Sequence, residues 1–196
     1  MNVRALVSRI VASFALAALA GASSASAATD TYEIDPVHSA VIFRIQHMGA
    51  GYTYGRFNSF SGTIAFDEAN LAQSSVKVEV KVDSVDTNAA KRDAHLKTPD
   101  FFNAAQFPTI TFASTSIKKS GDTAYDVTGD LTMHGVTKSV SIKMEKTGTG
   151  KDMEGKPLIG FEGTLSIKRS EYDVKGYLPG IGDDVRLTLA FEGVKK

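Results

Sequence analysis

The chain has 196 residues, with 22 lysines and arginines against 22 aspartates and glutamates, so its formal net charge at pH 7 is zero. This balance, without a basic stretch, argues against nucleic acid as a partner. The chain contains no cysteine, which excludes disulfides and leaves burial and hydrogen bonding to stabilise the fold.

The first 27 residues have the features of a secretory signal peptide. Arg4 and Arg9 give a positively charged start, residues 10–20 are apolar, and Ala25-Ser26-Ala27 fits cleavage after small residues. Cleavage at Ser26-Ala27-Ala28 is the alternative. We therefore expect a protein that is exported to the periplasm.

The leader is not expected to remain as a membrane anchor. Its apolar run is well short of the ~20 residues that a spanning helix needs. Its two arginines are also not adjacent, as a twin-arginine signal requires. We expect no stable membrane insertion and one domain over residues 28–196, which is long enough for a sizeable core.

After residue 30, apolar and polar residues alternate with period two, which indicates strands that are buried on one face. Turn signals separate the runs at residues 120–122, 133–135, 147–155 and 179–182. In chain order, the clearest apolar positions are Val41, Phe43, Ile45; Val76, Val78, Val80, Val82; Tyr125, Val127, Leu131, Met133; Val140, Ile142, Met144; Ile159, Phe161, Leu165, Ile167; and Val185, Leu187, Leu189, Phe191.

About eight such strands, mostly joined by short connections, favour an antiparallel barrel or sandwich over a parallel sheet. A closed barrel also removes the exposed strand edges that invite aggregation. We favour the barrel because the strands are long and regularly ordered. The predicted fold is therefore an all-β, eight-stranded antiparallel barrel with a small helical insert.

The insert is predicted at residues 88–105, which lack period two and are rich in alanine, lysine and aspartate. Asn88 can cap a short helix over residues 89–96. Thr98 and Pro99 form a second helix start, with threonine as the N-cap and proline at the first helical position. We expect this insert to cover one end of the barrel.

Motifs for catalysis or metal binding are weak. Four histidines, His38, His47, His95 and His134, lie in different segments, and their spacing matches no known metal-binding pattern. Their convergence in space stays open, although hydrogen-bonded histidines at loop ends are the simpler interpretation. The sequence has no Gly-x-Ser-x-Gly elbow, and Gly148-Thr149-Gly150-Lys151 lacks the flanking residues of a phosphate loop.

The phenylalanines are more informative. An eight-stranded barrel is just wide enough to be filled by side chains or to hold one slender ligand. Gly129 and Gly163 fall on the inward parity of two strands, where glycine costs packing. A partly open lumen is one explanation for these glycines and a β-bulge is another.

Short motifs follow one another along roughly residues 31–194. They are Tyr32-Glu33-Ile34-Asp35-Pro36-Val37-His38-Ser39, Phe43 to His47-Met48, Gly55-Arg56-Phe57, Phe60-Ser61-Gly62, Val85-Asp86-Thr87, Arg92-Asp93-Ala94-His95-Leu96, Asp100-Phe101-Phe102, Phe107-Pro108-Thr109-Ile110-Thr111-Phe112, Leu131-Thr132-Met133-His134-Gly135-Val136-Thr137-Lys138 and Arg169-Ser170-Glu171-Tyr172. In this order and spacing, the motifs resemble the YceI-like family of exported proteins, also called polyisoprenoid-binding proteins.

The resemblance implies a lipocalin-like barrel whose elongated lumen holds a long-chain isoprenoid or a similar amphiphile. It also implies a homodimer and a carrier that is not an enzyme, with no cofactor and no metal. A quinone, a prenyl phosphate and a fatty amide all remain open as ligands.

The expected site combines apolar lining with polar groups at the mouth. The lining residues would be Val41, Phe43, Ile45, Phe57, Phe60, Phe101, Phe102 and Phe112. The candidate head-group contacts are His38, Arg44, His47, Arg56, Asp93, His95 and Arg169.

Three alternatives stay open at this point. Arg92-Asp93 and Arg169 could form structural ion pairs that tie the insert to the barrel. A cluster of His38, His47, Asp93 and His95 could act as an enzyme on a lipid-like substrate, which requires hydrogen-bond reach between these side chains. The histidines could also bind a metal or haem.

Overall fold

The computed structural model describes residues 29–196, so the expected signal peptide and its cleavage site lie outside the described residues. Within the described part, no helix is long and apolar enough to cross a membrane. The regular elements are β1 (Asp30–Ile34), β2 (Ala40–His47), β3 (Gly51–Phe57), β4 (Phe60–Phe66), β5 (Ser75–Lys81), β6 (Val85–Asp86), α1 (Ala90–Leu96), β7 (Thr109–Lys119), β8 (Ala124–Met133), β9 (Val136–Lys151), β10 (Pro157–Lys168) and β11 (Ile181–Lys195).

The strands pair antiparallel and almost entirely with their sequence neighbours, and the last strand closes onto the first. The strands β1 and β2 both pair with β11, so together they form one interrupted strand. In the same way β4 and β3 pair with β1 and β2, while β5 and β6 pair with β4 and β3. Eleven segments therefore make a closed barrel of eight antiparallel strands, which confirms the predicted fold.

The break between β1 and β2 is held by side chains that replace ladder hydrogen bonds. Asp35 Oδ1 accepts the Val37 N–H at 2.8 Å, while the Asp35 N–H donates to the Glu192 carbonyl at 2.9 Å. Ser39 Oγ then accepts the Glu192 N–H at 2.9 Å. The chain thus leaves β11 for five residues, which lie opposite only two residues of β11, so the pairing resumes with its register shifted by three positions.

The insert between β6 and β7 lies at one end of the barrel, which we call the mouth; the opposite end is the far end. Its helix begins after Ala89 and not after an Asn88 cap. Asn88 instead takes a left-handed conformation, with φ 61°, and its N–H donates to Asp86 Oδ1 at 2.8 Å. The predicted capping role of Asn88 was wrong because the asparagine makes the turn before the helix.

The predicted second helix at Thr98 and Pro99 was also wrong. The Thr98 hydroxyl donates to the His95 carbonyl at 2.8 Å, so it closes the end of α1. Turns follow, in which the Phe101 and Asn103 N–H groups both donate to the Thr98 carbonyl. These turns place two adjacent phenylalanines, Phe101 and Phe102, at the mouth.

Of the predicted turns, residues 147–155 need correction. The strand β9 continues to Lys151 and pairs with β10 as far as Pro157. The turn is confined to residues 152–156, where Asp152 Oδ1 accepts the N–H groups of Glu154 and Lys156, each at 2.8 Å. The glycines and threonines of residues 147–150 are part of β9, because the turn itself is formed around the Asp152 side chain.

Candidate functional site

The barrel encloses a cavity of about 460 Å³ that is lined mainly by apolar side chains. On β10 alone its lining runs from Phe161 to Ile167, six residue steps or roughly 20 Å of strand. The volume falls within the range of roughly 300–1,000 Å³ that is typical of ligand pockets. The lumen is therefore long, apolar and large enough for a slender ligand.

Three aromatic rings close the lumen at the far end. Phe66 packs edge-on against Tyr125, with ring centroids 5.4 Å apart, and against Phe161 at 5.3 Å. Tyr125 and Phe161 meet at 6.4 Å. Edge-to-face pairs at these distances are favourable beyond their buried area, so the three rings form an aromatic plug.

A polar cap covers the outside of the aromatic plug. Glu68 accepts hydrogen bonds from Lys146 Nζ at 2.6 Å and from the Tyr125 hydroxyl at 3.2 Å. These bonds hold the pKa of the Glu68 carboxyl below its usual value. Burial, followed by the neighbouring Glu68, raises the pKa of Tyr125. At pH 7 the Glu68 carboxylate is therefore ionised and can accept, and the Tyr125 hydroxyl is protonated and can donate.

The lumen stays open partly because large side chains lie flat across glycines of neighbouring strands. A β-carbon at Gly129 would lie 2.5 Å from Phe112 Cζ, and one at Gly163 would overlap the Met144 sulfur. The Phe43 ring occupies the same position over Gly55. These side chains therefore line the wall instead of crossing the interior.

Gly129 and Gly163 were predicted to mark either a partly open lumen or a β-bulge. Gly129 lies next to a register shift between Ser114 and Ser116, so a bulge contributes there. Gly163 lies in a stretch where the pairing with β9 runs without a shift. Close approach by a neighbouring side chain is thus the feature that both glycines share.

At the mouth, the insert lays aromatic rings over the barrel. Phe102 packs edge-on against Phe57 at 5.8 Å, and Phe57 contacts Phe43 at 5.7 Å. Phe101 stacks on Tyr177 at 5.8 Å, and His95 stands edge-on to both rings, at 5.1 Å and 5.5 Å. Aromatic rings from the insert and from the loop before β11 thus narrow the mouth. Two of these rings, His95 and Tyr177, also bear polar atoms.

The polar groups of the insert hold one another. Arg92 donates from Nε to Thr87 Oγ1 and from Nη2 to the Thr87 carbonyl, each at 2.7 Å. Asp93 Oδ1 accepts the Thr87 N–H at 2.9 Å as well as the Thr87 hydroxyl. Arg92 and Asp93 are therefore both tied by hydrogen bonds to Thr87, directly after β6, and the predicted ion pair is absent among residues 29–196.

Arg169 is 4 % exposed and lies at the mouth end of β10. It donates to four backbone carbonyls at 2.8–2.9 Å, those of Val174, Gly176, Ile181 and Gly182. Burial lowers the pKa of its guanidinium. Within the described part of the chain, no carboxylate lies within ion-pair distance of it, so Arg169 holds the loop before β11 in place and makes no ion pair.

Ten of the fifteen predicted contact residues line the cavity, and whether they touch a ligand stays a prediction. They are Val41, Phe43, Ile45, His47, Phe57, His95, Phe101, Phe102, Phe112 and Arg169. The other five do not line the cavity. They are His38, Arg44, Arg56, Phe60 and Asp93.

Each of the five has a physical reason to lie elsewhere. Arg56 points outward because Gly55 and Phe57, its neighbours on β3, point inward. Phe60 is buried in the wall against Phe191 at 6.3 Å. Asp93 is taken up by Thr87, as described above.

His38 lies at the break between β1 and β2, 64 % exposed in its side chain. Its Nδ1 makes a 2.7 Å hydrogen bond with Asp35 Oδ2 and lies 3.7 Å from Glu192 Oε1. The hydrogen bond with Asp35 raises the pKa of His38. Of the remaining head-group candidates, Arg44 also points outward, where its guanidinium stacks on the Tyr52 ring at 4.3 Å.

The four-residue cluster that an enzyme would need is not assembled. His38 and His47 flank β2, and the seven steps from Ala40 to His47 alone span roughly 23 Å. His95 Nε2 is engaged by Asp100 Oδ2 at 2.9 Å. These positions remove the arrangement on which the catalytic alternative depended.

In the described part of the chain, the histidines do not converge on a metal site either. Among residues 29–196, the group with metal-ligand potential is Asp35, His38 and Glu192, which contains one histidine. His134 lies in the turn between β8 and β9, with its ring 4.5 Å from that of Phe107. Both of its ring nitrogens are buried without a partner in the described chain.

Two features of the site were not predicted from the sequence. Tyr177 lies in the loop before β11 and forms part of the mouth; an aromatic residue beside Leu178-Pro179-Gly180 was the available signal. The polar cap joins Glu68 to Lys146, 78 residues away. Nothing in the local sequence indicates that pair.

Relatives of known sequence match almost the whole chain. A UPF0312 protein of Pseudomonas paraeruginosa is 42% identical over 192 residues, which cover 97% of this chain and 100% of the relative. The protein YceI of Escherichia coli O157:H7 is 44% identical over 176 residues, covering 89% of this chain and 92% of the relative.

Solved structures share the fold. BcnA of Burkholderia cenocepacia superimposes with a TM-score of 0.75 at 28% identity, covering 81% of this chain and 98% of that chain. A polyisoprenoid binding domain from Saccharophagus degradans, implicated in plant cell wall breakdown, gives a TM-score of 0.66 at 17% identity, covering 84% and 98%. The YceI-like domain matches residues 32–193, and the chain therefore belongs to the YceI-like family.

Proposed function

We propose that this protein binds a long-chain isoprenoid, or an amphiphile of similar shape, inside the barrel. The observation that carries the proposal is the 460 Å³ apolar lumen, plugged by aromatic rings at one end and edged by polar groups at the other. The fold shared with the polyisoprenoid binding domain of Saccharophagus degradans supports it. The protein acts as a carrier and not as an enzyme.

The hydrocarbon tail supplies most of the affinity. Burying a CH₂-sized group contributes about 0.8 kcal/mol, so two or three isoprene units contribute roughly 8–12 kcal/mol before entropy losses. Micromolar binding corresponds to about 8 kcal/mol. A lumen of this length thus holds a prenyl chain without any specific polar contact.

Polar groups at the mouth orient the head group. The side chains of His47, His95 and Tyr177 line the opening and can donate to a carbonyl or hydroxyl. Arg169 also lines it, but four backbone carbonyls already occupy its donors. The donors of the first three side chains suit a quinone carbonyl, and the guanidinium of Arg92, which also lines the cavity, suits a prenyl phosphate.

The setting of this activity is also part of the proposal. The signal-peptide features of the first 27 residues support export to the periplasm. We further propose a homodimer, in line with the family resemblance. A periplasmic carrier would take up a ligand too apolar to cross the aqueous space unaided.

The test is a titration with prenyl alcohols of increasing chain length, read out by thermal stabilisation, because a ligand that binds the native state raises its stability. Leu165 lines the lumen on β10, whereas its neighbour Ser166 is exposed on the outer face. We expect Leu165→Trp to weaken binding at least tenfold and Ser166→Trp to leave it unchanged.

Affinity should rise with chain length until the lumen is full and then level off. The proposal fails if the wild-type protein binds no prenyl alcohol, or if Leu165→Trp and Ser166→Trp bind equally well. In the second case the ligand site lies outside the barrel.

A further inference from the structure

The mouth carries most of the exposed apolar surface. Among residues 29–196, seven large hydrophobic side chains are exposed, and five of them lie at the mouth end or on the hairpin that forms its edge. These five are Met48, Tyr52, Tyr54, Tyr177 and Leu178. Of the other two, Val37 lies in the β1–β2 break and Met153 in the far-end turn between β9 and β10.

These side chains form one surface because two connections meet at the mouth. The Met48 N–H donates to the Gly180 carbonyl at 2.7 Å, so the β2–β3 turn is bonded to the loop that carries Tyr177 and Leu178. Tyr52 and Tyr54 lie on the outward parity of β3, opposite Gln46 and Arg44 on β2. We call the five residues the mouth patch.

The hairpin half of the mouth patch is positively charged, whereas the loop that carries Tyr177 and Leu178 has both acidic and basic residues. Residues 40–57, which form β2, the turn and β3, contain Arg44 and Arg56 and no acidic residue. The far-end turns at residues 67–74, 120–123 and 152–156 contain five acidic residues and one lysine. The hairpin therefore gives the mouth one positive, apolar edge, while the far-end turns are mainly acidic.

We propose that the mouth patch docks onto the surface of an anionic lipid bilayer. Tyrosine is favoured at the interface between lipid and water, and nearby arginines are attracted by anionic head groups. Apolar tips with a cationic surround are the pattern of peripheral membrane binding, without a spanning segment. The hairpin tip would sit among the head groups with the mouth open toward the lipid.

The inference rests on the proposed function, since a bilayer is the source of a prenyl ligand. Docking of the mouth lets a chain slide from the bilayer into the lumen without passing through water. It also explains why exposed apolar residues gather at the open end and not at the plugged one. Exposed apolar patches of this kind mark interaction sites in soluble proteins.

The test is flotation with vesicles of phosphatidylcholine alone and of phosphatidylcholine mixed with phosphatidylglycerol. Met48→Asp and Met153→Asp form a matched pair, because both methionines are exposed in turns, 64 % and 106 %, at opposite ends of the barrel. Aspartate tolerates the left-handed backbone of Met48, with φ 49°. Neither residue lines the lumen.

We expect the wild type and Met153→Asp to float with the anionic vesicles, and less with phosphatidylcholine alone. Met48→Asp should reduce the floating fraction at least fivefold. All three proteins should bind farnesol in solution with the same affinity. Raising the salt concentration should release the wild type, since screening weakens the attraction to anionic head groups.

The inference is overturned if the wild type does not float, or if Met48→Asp floats as the wild type does. If flotation is unchanged and Met48→Asp converts a dimer to a monomer in sedimentation velocity, the mouth patch joins two copies of this chain instead. Failure of the proposed function would look different, because then the wild type would not bind farnesol in solution.

Discussion

The two ends of this barrel are built from the same residue types for opposite purposes. At the far end, Phe66, Tyr125 and Phe161 pack edge-on against one another and are capped by the Glu68–Lys146 pair. At the mouth, Phe101 and Tyr177 stack at the edge of an opening that the lumen reaches. The far-end rings pack against one another inside the barrel and close the lumen. The mouth rings lie on the insert and on the loop before β11, so they surround the entrance.

Because one end is closed and the other is open, a ligand can enter the lumen from the mouth alone. A tail can enter to the depth of the aromatic plug, while its head group stays among the polar atoms of the mouth. The stability of the barrel should likewise depend on the buried contacts of the plug and of Arg169. The exposed ring of Tyr177 at the mouth should matter little for stability.

The largest effect is expected from Arg169→Met, which removes the cation that holds the mouth loop. Four backbone carbonyls would lose their donor. Leaving buried acceptors unpaired costs about 1–3 kcal/mol each when they cannot reach water, and partial rehydration of the loop limits the total. We expect the free energy of unfolding to fall by about 4 kcal/mol, measured by urea denaturation.

Arg169→Lys is the control for this change. A lysine has three donors on one nitrogen and cannot reach four separate carbonyls, so its stability should fall between those of Arg169→Met and the wild type. A full recovery by lysine would show that charge alone, and not the guanidinium geometry, holds the loop.

A smaller loss is expected from opening the plug with Phe161→Ala. The ring is buried between Phe66 and Tyr125, and truncation of a core phenylalanine costs about 3 kcal/mol or more. The partner change at the mouth, Phe102→Ala, should cost about 1 kcal/mol because that ring is only half buried. Equal losses in thermal unfolding would contradict the contrast between the ends.

Filling the wall should act mainly on ligand binding. In Gly55→Val, the new side chain would displace the Phe43 ring into the lumen. Overpacking of this kind costs about 1–3 kcal/mol, so we expect about 2 kcal/mol of lost stability together with at least tenfold weaker binding of a prenyl alcohol. Unchanged affinity in the titration would show that the flat position of Phe43 does not keep the lumen open.

The smallest effect is expected from the polar cap. Glu68→Gln removes a partly exposed pair with Lys146, which is worth about 0.5 kcal/mol. Because the folded-state pKa of Glu68 lies below its ordinary value of 4.5, its contribution is fully present at pH 7 and is lost as the pH falls through the folded-state pKa. The wild type and Glu68→Gln should therefore differ in melting temperature at pH 7 and converge in acid.

The barrel could be predicted from the sequence because alternation is a local property of each strand. Val41, Phe43 and Ile45 point inward as period two requires. The same alternation places Arg56 on the outer face, because its neighbours on β3, Gly55 and Phe57, point inward. A parity count would have excluded it as a head-group contact.

The site was less predictable because it depends on which distant residues meet. His38 was expected at the mouth, but the break after β1 places it beside Glu192 on β11. Asn88 and Thr98 were assigned to helix caps by residue type, whereas local hydrogen bonds to Asp86 and His95 put them in turns. The carbonyl partners of Arg169 come from a loop with no periodic pattern and from the first residues of β11, so its role could not be read from composition.

The central claim is that the lumen holds a prenyl chain. The most direct measurement is mass spectrometry of organic extracts from the purified protein, with Leu165→Trp and Ser166→Trp prepared in parallel. The account predicts a prenyl lipid in the wild type and in Ser166→Trp, and at least a tenfold lower amount in Leu165→Trp. Extracts free of any such lipid, from a protein that also takes up no added prenyl compound, would contradict it.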